Sequence, residues 1–387
     1  MGDLFDAAVK AHRQGRVRQA EKKYRQVLKE NPKHWGAHYY LGNILLDQGF
    51  NQKAIEHLQR AVSLKPQDAT LHFDLGRALA VAGDLSRARK ALQKSADLQP
   101  DRAAVHSGFG DLLRSGHEIE AALESYRRAL TLDPDFTEAF TGSGHALALA
   151  RRYEEAIEPY TRALKTSRAS AREYVNLGRV YLATGKWNEA EAIYKEALGR
   201  QPVLAETFIG LGEALEKLKR PLEAADAMAE AVKLAPNRGD TWHALARNLA
   251  NGGRHEEALN AYREAVRLLP KSATAWSQYA AVEAQLGHQD AAITAADKAL
   301  ALDPNDALAW SAKAVAEMIQ GRFEDCEIHT RKALALQPGY PAALHVLASI
   351  GRLRPEDGDV ETFEKMLGSQ DRGSNEWIFT VHVIAGM

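Results

Sequence analysis

Residues 171–204 read AREYVNLGRVYLATGKWNEAEAIYKEALGRQPVL, and the spacing of apolar residues in this stretch predicts two short helices joined by a turn. In its first part Tyr174, Leu177 and Tyr181 recur at intervals of three and four residues, which places them on one face of a helix. The second part repeats this spacing with Ala190, Tyr194 and Ala197. Gly185 lies between the two parts, where a left-handed backbone costs glycine least. The stretch is therefore predicted to form a helical hairpin.

The same pattern recurs along the chain with a period of 34 residues. Counted from residue 1, position 32 of the first ten repeats holds Pro32, Pro66, Pro100, Pro134, Arg168, Pro202, Pro236, Pro270, Pro304 and Pro338. With 13 prolines in 387 residues, chance would place roughly a third of a proline in these ten positions. Position 8 is always glycine or alanine, and position 20 is alanine up to Ala292. Small residues let paired helices approach closely, and the proline ends the second helix.

This pattern resembles the tetratricopeptide repeat family, whose unit is a 34-residue helix-turn-helix with small residues at positions 8 and 20 and a closing proline. The resemblance implies an all-α fold, a right-handed α-solenoid superhelix of about ten to eleven repeats. We divide residues 1–340 into ten repeats: 1–34, 35–68, 69–102, 103–136, 137–170, 171–204, 205–238, 239–272, 273–306 and 307–340. Residues 341–374 are expected to be a degenerate eleventh repeat or cap, with Pro355 in its turn. Residues 375–387 are expected to be an apolar C-terminal tail or capping helix.

Charge and composition limit the classes of partner. Lys plus Arg number 50 and Asp plus Glu 51, so the net charge of −1 provides no global field for DNA or RNA, and we expect no nucleic-acid partner. The start of the sequence lacks the apolar run of a secretory signal, and no run reaches the ~18–20 apolar residues of a membrane helix. We therefore expect a cytoplasmic protein without a membrane partner. The lone Cys326 fits a reducing compartment and, at a small buried position, is expected to be inert.

The common catalytic motifs are missing from the sequence. It contains no Gly-x-x-x-x-Gly-Lys-Ser/Thr loop, no His-Glu-x-x-His pair and no Gly-x-Ser-x-Gly elbow. His38, His72 and His106 all fall at position 4, which holds tryptophan in later repeats, so we interpret them as packing residues and not as metal ligands. We predict no enzymatic activity, no catalytic residues, no metal and no cofactor.

A repeat array of this kind offers a binding surface. By resemblance to the family, positions 2, 5, 6, 9, 12 and 13 of each first helix line a concave groove, where arginines with aromatic neighbours suit an extended peptide. The candidate groove residues are Tyr39, Asn43, Phe73, Arg77, Arg114, Arg172, Asn176, Arg179 and Arg247. Arg172, Asn176 and Arg179 lie at i, i+4 and i+7, so their side chains converge. Taken singly, each groove residue is also compatible with plain solvated surface.

Two function classes follow from this interpretation. The first is a non-catalytic scaffold for protein–protein interaction that binds a protein or extended peptide in the groove. The second rests on a further resemblance, to the repeat regions of bacterial sulfotransferases and of N-acetylglucosaminyl transferases, a class of glycosyltransferase. It implies that the chain is the substrate-recognition region of such a transferase, whose catalytic domain is absent from this chain.

Two irregularities lead to further predictions. Pro159 inside a second helix, followed by a turn that lacks the usual proline, predicts a bend or hinge near 159–171, with a local kink as the alternative. Residues 1–34 carry nine Lys/Arg against four Asp/Glu, whereas 341–387 carry four against seven. Oppositely charged ends predict weak self-association, with an ordinary solvated face as the alternative.

Overall fold

The computed structural model describes residues 2–166, 169–200, 203–354, 356 and 358–369, and within these ranges the regular structure is helical, without a strand. The chain divides into two compact units, an N-terminal unit of Met1–Lys186 and a C-terminal unit of Trp187–Met387. The N-terminal unit contains α1 (Gly2–Arg13), α2 (Val17–Glu30), α3 (Trp35–Asp47), α4 (Asn51–Leu64), α5 (Ala69–Val81), α6 (Leu85–Leu98), α7 (Ala103–Ser115), α8 (Ile119–Leu132), α9 (Thr137–Leu149), α10 (Tyr153–Lys165) and α11 (Ala171–Ala183). The C-terminal unit contains α12 (Trp187–Leu198), α13 (Ala205–Lys217), α14 (Pro221–Leu234), α15 (Gly239–Asn251), α16 (His255–Leu268), α17 (Ala273–Gln285), α18 (Gln289–Leu302), α19 (Ala307–Ile319), α20 (Phe323–Leu336), α21 (Pro341–Ser349) and α22 (Asp359–Ser369).

Within each unit consecutive helices pack against each other, and first helices of adjacent repeats also touch, as α5 touches α7 and α17 touches α19. The predicted all-α repeat fold of helical hairpins is confirmed. The predicted C-terminal tail or capping helix, 375–387, lies outside the described residues, as do Arg168, Pro202 and Pro355. Among the described residues, no helix combines the length and the hydrophobicity that a membrane span requires.

The turn inside each of the first ten hairpins has a left-handed residue at position 15. Glycine fills it at Gly15, Gly49, Gly83, Gly185, Gly253, Gly287 and Gly321. His117, Arg151 and Lys219 adopt the same conformation with φ of 60°, 58° and 60°. This conformation is unfavourable for residues with a Cβ, so the turn geometry is imposed by the packing of the two helices.

The hairpin cores are built around position 24 of each second helix. Tyr126 is fully buried there, and its hydroxyl donates to Asp111 Oδ1 at 2.9 Å. Its ring fills the space beside Gly110 in the same repeat and Gly142 in the next, and a Cβ on Gly142 would overlap the ring. Position 6 of a first helix thus packs against position 24 of the preceding repeat, which explains glycine in this column.

A ring nitrogen at position 4 links each of several repeats to the end of the previous one. Trp242 Nε1–H donates to the Pro236 carbonyl at 2.9 Å. The same bond runs from Trp276 to Pro270, from Trp310 to Pro304, and from Nε2 of His38, His72 and His106 to Pro32, Pro66 and Pro100. Histidine therefore replaces tryptophan at this position as a hydrogen-bond donor as well as a packing residue.

Helix α10 continues through Pro159 to Lys165. Its end is fixed by buried threonines, since Thr166 Oγ1 lies 2.5 Å from Thr137 Oγ1 and donates to the Ala163 carbonyl at 2.7 Å. The hinge near 159–171 stays a prediction.

In the C-terminal unit Cys326 is completely buried, and burial raises the pKa of its thiol to about 11. Such a thiol is a poor nucleophile, as expected from the sequence.

Two buried carboxylates distinguish the last full repeats. Glu283 and Glu317 occupy position 11, where the two preceding repeats have Leu215 and Leu249. Each is about 1% exposed. Glu283 Oε2 lies 2.7 Å from Nδ1 of His288. The carboxylates are therefore paired inside the hairpins and not left alone in the core.

Candidate functional site

The first-helix face of the N-terminal unit carries most of the predicted groove residues, beginning with a polar network on α3 and α5. Tyr39 Oη donates to Asp74 Oδ2 at 2.8 Å, and Arg77 Nη1 lies 3.2 Å from Asp74 Oδ1. Asn43 faces the same two side chains, Tyr39 and Asp74. Burial raises the pKa of the Asp74 carboxyl, and the hydrogen bond from Tyr39 and the charge of Arg77 offset part of this rise. Tyr39, Asn43 and Arg77 are thus brought together by one buried carboxylate.

Phe73 lies beside this network and forms one wall of a depression of about 490 Å³. Arg102 covers its ring at 5.1 Å from the centroid, and Arg77 lies at 6.0 Å. Among the residues that line the depression are Arg77, Ala80, Val81, Ser107, Gly108, Arg114 and Phe136. Three predicted site residues, Phe73, Arg77 and Arg114, therefore share one concave surface with an apolar floor and a charged rim.

Arg114 on α7 is held by two groups of its own repeat. Nη2 lies 3.1 Å from Asp111 Oδ1, and Nε donates to Tyr126 Oη at 3.4 Å. Because Tyr126 also donates to Asp111, the three side chains form a closed triangle. The guanidinium is fixed in orientation and its charge is balanced locally. Its remaining N–H groups can face a ligand.

A smaller depression of about 280 Å³ continues the first one along α9 and α11. The two share Asp111 and Glu138, so they form one surface from α5 to α11. His145 lines the second depression, and burial lowers the pKa of its imidazole. The buried hydroxyl of Thr141 has no hydrogen-bond partner in this part of the structure. This surface therefore contains a buried hydroxyl without a partner among the described protein atoms.

Helix α11 carries three candidate residues that have few polar partners: Arg172, Asn176 and Arg179. Both arginines are exposed, and within the described ranges neither forms an ion pair or a side-chain hydrogen bond. Asn176 is half-buried beside His145, and its Nδ2 is fully buried with no hydrogen-bond acceptor in the described structure. An unsatisfied buried N–H group costs about 1–3 kcal/mol, so this amide favours a ligand that brings an acceptor.

Arg247 on α15 belongs to the C-terminal unit and is described there by itself. Its Nη2 lies 2.6 Å from Glu216 Oε2, and its buried Nε has no partner among the described residues. Nearby, His243 Nε2 lies 2.8 Å from Gln278 Oε1, and burial lowers the pKa of His243. Within the C-terminal unit, Arg247 therefore belongs to a polar cluster of α13, α15 and α17.

Sequence reasoning missed several contributors to the N-terminal surface. Phe136 and Ser107 line the larger depression, and Arg102 covers the ring of Phe73. Arg102 and Phe136 lie just before α7 and α9, outside the first-helix positions that the family resemblance indicated. The i,i+3 spacing from Asp74 to Arg77 and from Asp111 to Arg114 was a detectable signal for local pairing. In the described residues no group of three or more histidine, cysteine or acidic side chains is placed to hold a metal ion.

Comparison with known proteins identifies one family along most of the chain. One family model described as tetratricopeptide repeat matches residues 5–69, 41–103, 108–171 and 175–238. A second model with the same description matches residues 239–282 and 273–316. The search of curated proteins gave no match.

Several solved structures are similar in fold. The C-terminal part of a repeat-containing protein from Cytophaga hutchinsonii is 14% identical with a TM-score of 0.51, covering 62% of this chain and 98% of that one. A tetratricopeptide repeat protein from Parabacteroides merdae is 16% identical with a TM-score of 0.49, covering 64% of this chain and 98% of that one. The Cut9–Hcn1 hetero-tetramer of APC/C gives 15% identity and a TM-score of 0.47, covering 98% and 89%. At such low identity, the likeness to the Cytophaga structure concerns the repeat fold alone.

Proposed function

The chain belongs to the tetratricopeptide repeat family, and on that premise we propose that it is a non-catalytic scaffold that binds an extended peptide segment of another protein. Repeats of this family support a role in protein interaction. We assign the binding site to the surface that runs from Phe73 on α5 to Arg179 on α11. Arg247 is proposed as a second, separate contact.

The observation that carries this proposal is the depression of about 490 Å³ beside Phe73. Its apolar floor, with Ala80, Val81 and the ring of Phe73, suits one buried side chain of a ligand. Arg77 and Arg114 stand at its rim with fixed orientations, so they can hydrogen-bond the ligand backbone at a low cost in conformational entropy. An extended peptide supplies both an apolar side chain and backbone carbonyls at short spacing.

Helix α11 differs from the surface near α5 because its two arginines form no ion pair and Nδ2 of Asn176 has no acceptor in the described structure. The buried Nδ2 of Asn176 needs an acceptor, which a peptide carbonyl provides. Arg172 and Arg179 on either side carry uncompensated charge and suit a carboxylate of the ligand. We infer that the ligand carries an acidic residue near α11 and an apolar residue near α5.

The same contacts argue for a polypeptide over a nucleic acid. Asp74 and Asp111 stand in the proposed site and pair with Arg77 and Arg114, so these two pairs offer no net positive charge to attract phosphates. The cytoplasmic location expected from the sequence belongs to this proposal as well, and the buried, unpaired Cys326 is compatible with it. Weak self-association of the charged ends stays a prediction.

Peptides that bind the chain can be selected from a displayed random library without an identified partner, and variants of the site are then tested with these peptides. The variant Arg172→Ala/Asn176→Ala/Arg179→Ala should bind the selected peptides at least about tenfold more weakly, since charge-assisted hydrogen bonds contribute about 1.5–3 kcal/mol. Phe73→Ala should weaken the same peptides by a similar factor. Protection from hydrogen exchange on α5, α7, α9 and α11 would locate the ligand.

Matched control variants are available on a second helix. Arg127→Ala/Arg128→Ala removes two positive charges from exposed positions of α8 and should leave peptide affinity unchanged. Undiminished binding by the α11 variant, or protection confined to second helices, would refute the assignment of the site.

A further inference from the structure

Three equivalent tryptophans stand at position 4 of consecutive repeats in the C-terminal unit: Trp242, Trp276 and Trp310. Each ring is held by the same Nε1–H bond to a proline carbonyl, so the three rings have equivalent settings. Lysines at position 26 cover two of them, with Nζ of Lys298 and of Lys332 each 4.3 Å from the ring centroid. In this chain, the face of such a ring therefore binds an ammonium group through a cation–π contact.

Trp242 departs from this arrangement. Position 26 of its repeat is Glu264, and within the described residues no cation lies over its ring. Trp242 and Glu264 both line a depression of about 560 Å³ formed by α14, α15 and α16. The corresponding depression one repeat later is lined by Trp276 together with Lys298. The ring of Trp276 is thus covered by a lysine of its own repeat, whereas beside Trp242 a carboxylate takes the place of that lysine.

The charges around Trp242 favour a cation. The depression is lined by three carboxylates, Asp226, Glu257 and Glu264, and by two guanidinium groups, Arg254 and Arg263. Arg254 is already bound by Glu257 at 2.5 Å and lies 3.8 Å from Asp226. The lining therefore carries a net charge of −1, and Arg254, one of its two cations, is committed to carboxylates that share the depression.

Glu264 is able to turn toward a ligand. Its present partner is Arg267, which lies one helical turn further on the same surface at 2.7 Å. Both side chains are largely exposed, and exposed pairs of this kind contribute little to stability. Breaking the pair with Arg267 so that Glu264 can face a ligand cation therefore costs little free energy.

We propose that this depression binds the ammonium group of a lysine side chain presented by a partner polypeptide. The ring of Trp242 lies under the cation and the carboxylate of Glu264 beside it, which reproduces with a partner's lysine the contact that Lys298 and Lys332 make within the chain. The site is built by α14 and α16 with one face of α15, so it does not depend on the peptide site proposed for α5 to α11.

A pair of short peptides probes the site directly. Acetyl-Gly-Lys-Gly-amide carries the ammonium, and acetyl-Gly-norleucine-Gly-amide has the same side chain without it. Titration into the full chain is followed by the indole NMR signal of Trp242, which is assigned from the spectrum of Trp242→Phe. The lysine peptide should shift this signal saturably and bind at least about tenfold more tightly than the norleucine peptide.

Glu264→Lys gives the sharpest variant because it installs the residue found at this position in the next two repeats. It should keep the fold and reduce affinity for the lysine peptide at least about tenfold, because the introduced ammonium group then covers the ring of Trp242. Glu230→Lys, the same charge change at position 26 of the preceding repeat and outside the lining, is the control and should stay within about twofold of wild type. Equal binding of the two peptides, or full affinity in Glu264→Lys, would overturn the proposal. Should Glu264→Lys alter the helical circular dichroism, Glu264→Gln replaces it with the same expectation and the same overturning result.

Discussion

The cores of the two compact units differ at the same two repeat positions. In the N-terminal unit position 24 is a large buried residue in every repeat, from Tyr24 to Tyr160. In the C-terminal unit it changes from Tyr262 to Ala296 and then Thr330. At the two repeats where position 24 becomes small, position 11 becomes a buried glutamate. The two positions therefore change together: a bulky side chain at position 24 goes with a position 11 that carries no charge, and a small one goes with a carboxylate that pairs with neighbouring basic side chains.

The two solutions have different energetics. An aromatic or leucine core is stabilised by burial of apolar area and by close packing. A buried carboxylate is stabilised only as long as its partners stay in place, since removing one partner leaves an uncompensated charge. Glu317 depends on Nδ1 of His329 at 2.7 Å and on Arg322 at 3.6 Å. The last full repeats should therefore tolerate loss of volume better and loss of charge worse than the repeats of the N-terminal unit.

Truncation of position 24 should give the largest effect. Tyr126→Ala empties the space between Gly110 and Gly142 and should cost about 3–5 kcal/mol. Thr330→Ala at the equivalent buried position should cost about 1 kcal/mol, because only a hydroxyl bonded to the Cys326 carbonyl is lost with one methyl group. Hydrogen exchange of α7–α9 and of α19–α20 measures the two local losses. Losses of equal size would break the comparison.

Removal of the buried charge should give an intermediate effect. Glu317→Gln keeps the shape of the side chain but leaves His329 and Arg322 without their anion, and should cost about 2 kcal/mol of local stability. The matched control is Glu124→Gln, which breaks an exposed pair with Arg127 in the N-terminal unit and should cost much less.

A double variant sharpens this test. Glu317→Leu/His329→Leu replaces the pair by apolar residues and should be neutral or stabilising, because two desolvated polar groups are removed together. Hydrogen exchange on α19 and α20 reports both variants. A double variant as unstable as the single one would show that the pair is not the unit of stabilisation.

The smallest expected effect is a difference in pH dependence. Burial is the largest cause that lowers the pKa of His38, His57 and His145 in the N-terminal unit, and of His243 in the C-terminal unit. A histidine with a lowered native pKa binds fewer protons folded than unfolded. Its stabilising contribution is therefore complete above the unfolded pKa of about 6.5 and is lost as pH falls through the native value.

The N-terminal unit, with three such groups, should accordingly lose more stability as the pH falls from about 7.5 to about 5.5, roughly one unit on either side of the unfolded pKa. His38 and His57 reinforce each other, because their Nδ1 atoms lie 2.9 Å apart and His38 already donates Nε2–H to Pro32. Arg25 and Arg60 add positive charge near the pair. Hydrogen exchange across this pH range measures the effect, and His57→Gln should flatten it. A steeper dependence in the C-terminal unit would contradict this expectation.

The fold could be predicted from the sequence because each hairpin contacts only its neighbours, so a 34-residue pattern contains most of the information needed. Glycine at position 6 is a harder case. The family pattern assigns this position to the groove, whereas Gly142 makes room for Tyr126 of the preceding repeat. This contact joins residues 16 apart on different helices, and no helical period relates them.

The helix on which each candidate residue lies could be predicted from the sequence, whereas the charge balance around these residues could not. The sequence places Arg77, Arg114, Arg172 and Arg179 on first helices, where the structure also has them. It does not show that carboxylates neutralise the first two and leave the last two unpaired. Nor does it show that Nδ2 of Asn176 is buried without an acceptor in the described structure, since that depends on which atoms of neighbouring helices cover it.

The ring-to-proline hydrogen bond at the repeat junctions has a consequence for how such a chain changes over evolutionary time. The donor stands at position 4 of one repeat and the acceptor at position 32 of the one before, as in Trp276 and Pro270. Among consecutive repeats that carry this pair, deletion or duplication of a 34-residue segment reunites a donor with an acceptor at the new junction. Recombination can therefore lengthen or shorten the array without creating an unsatisfied indole at the splice.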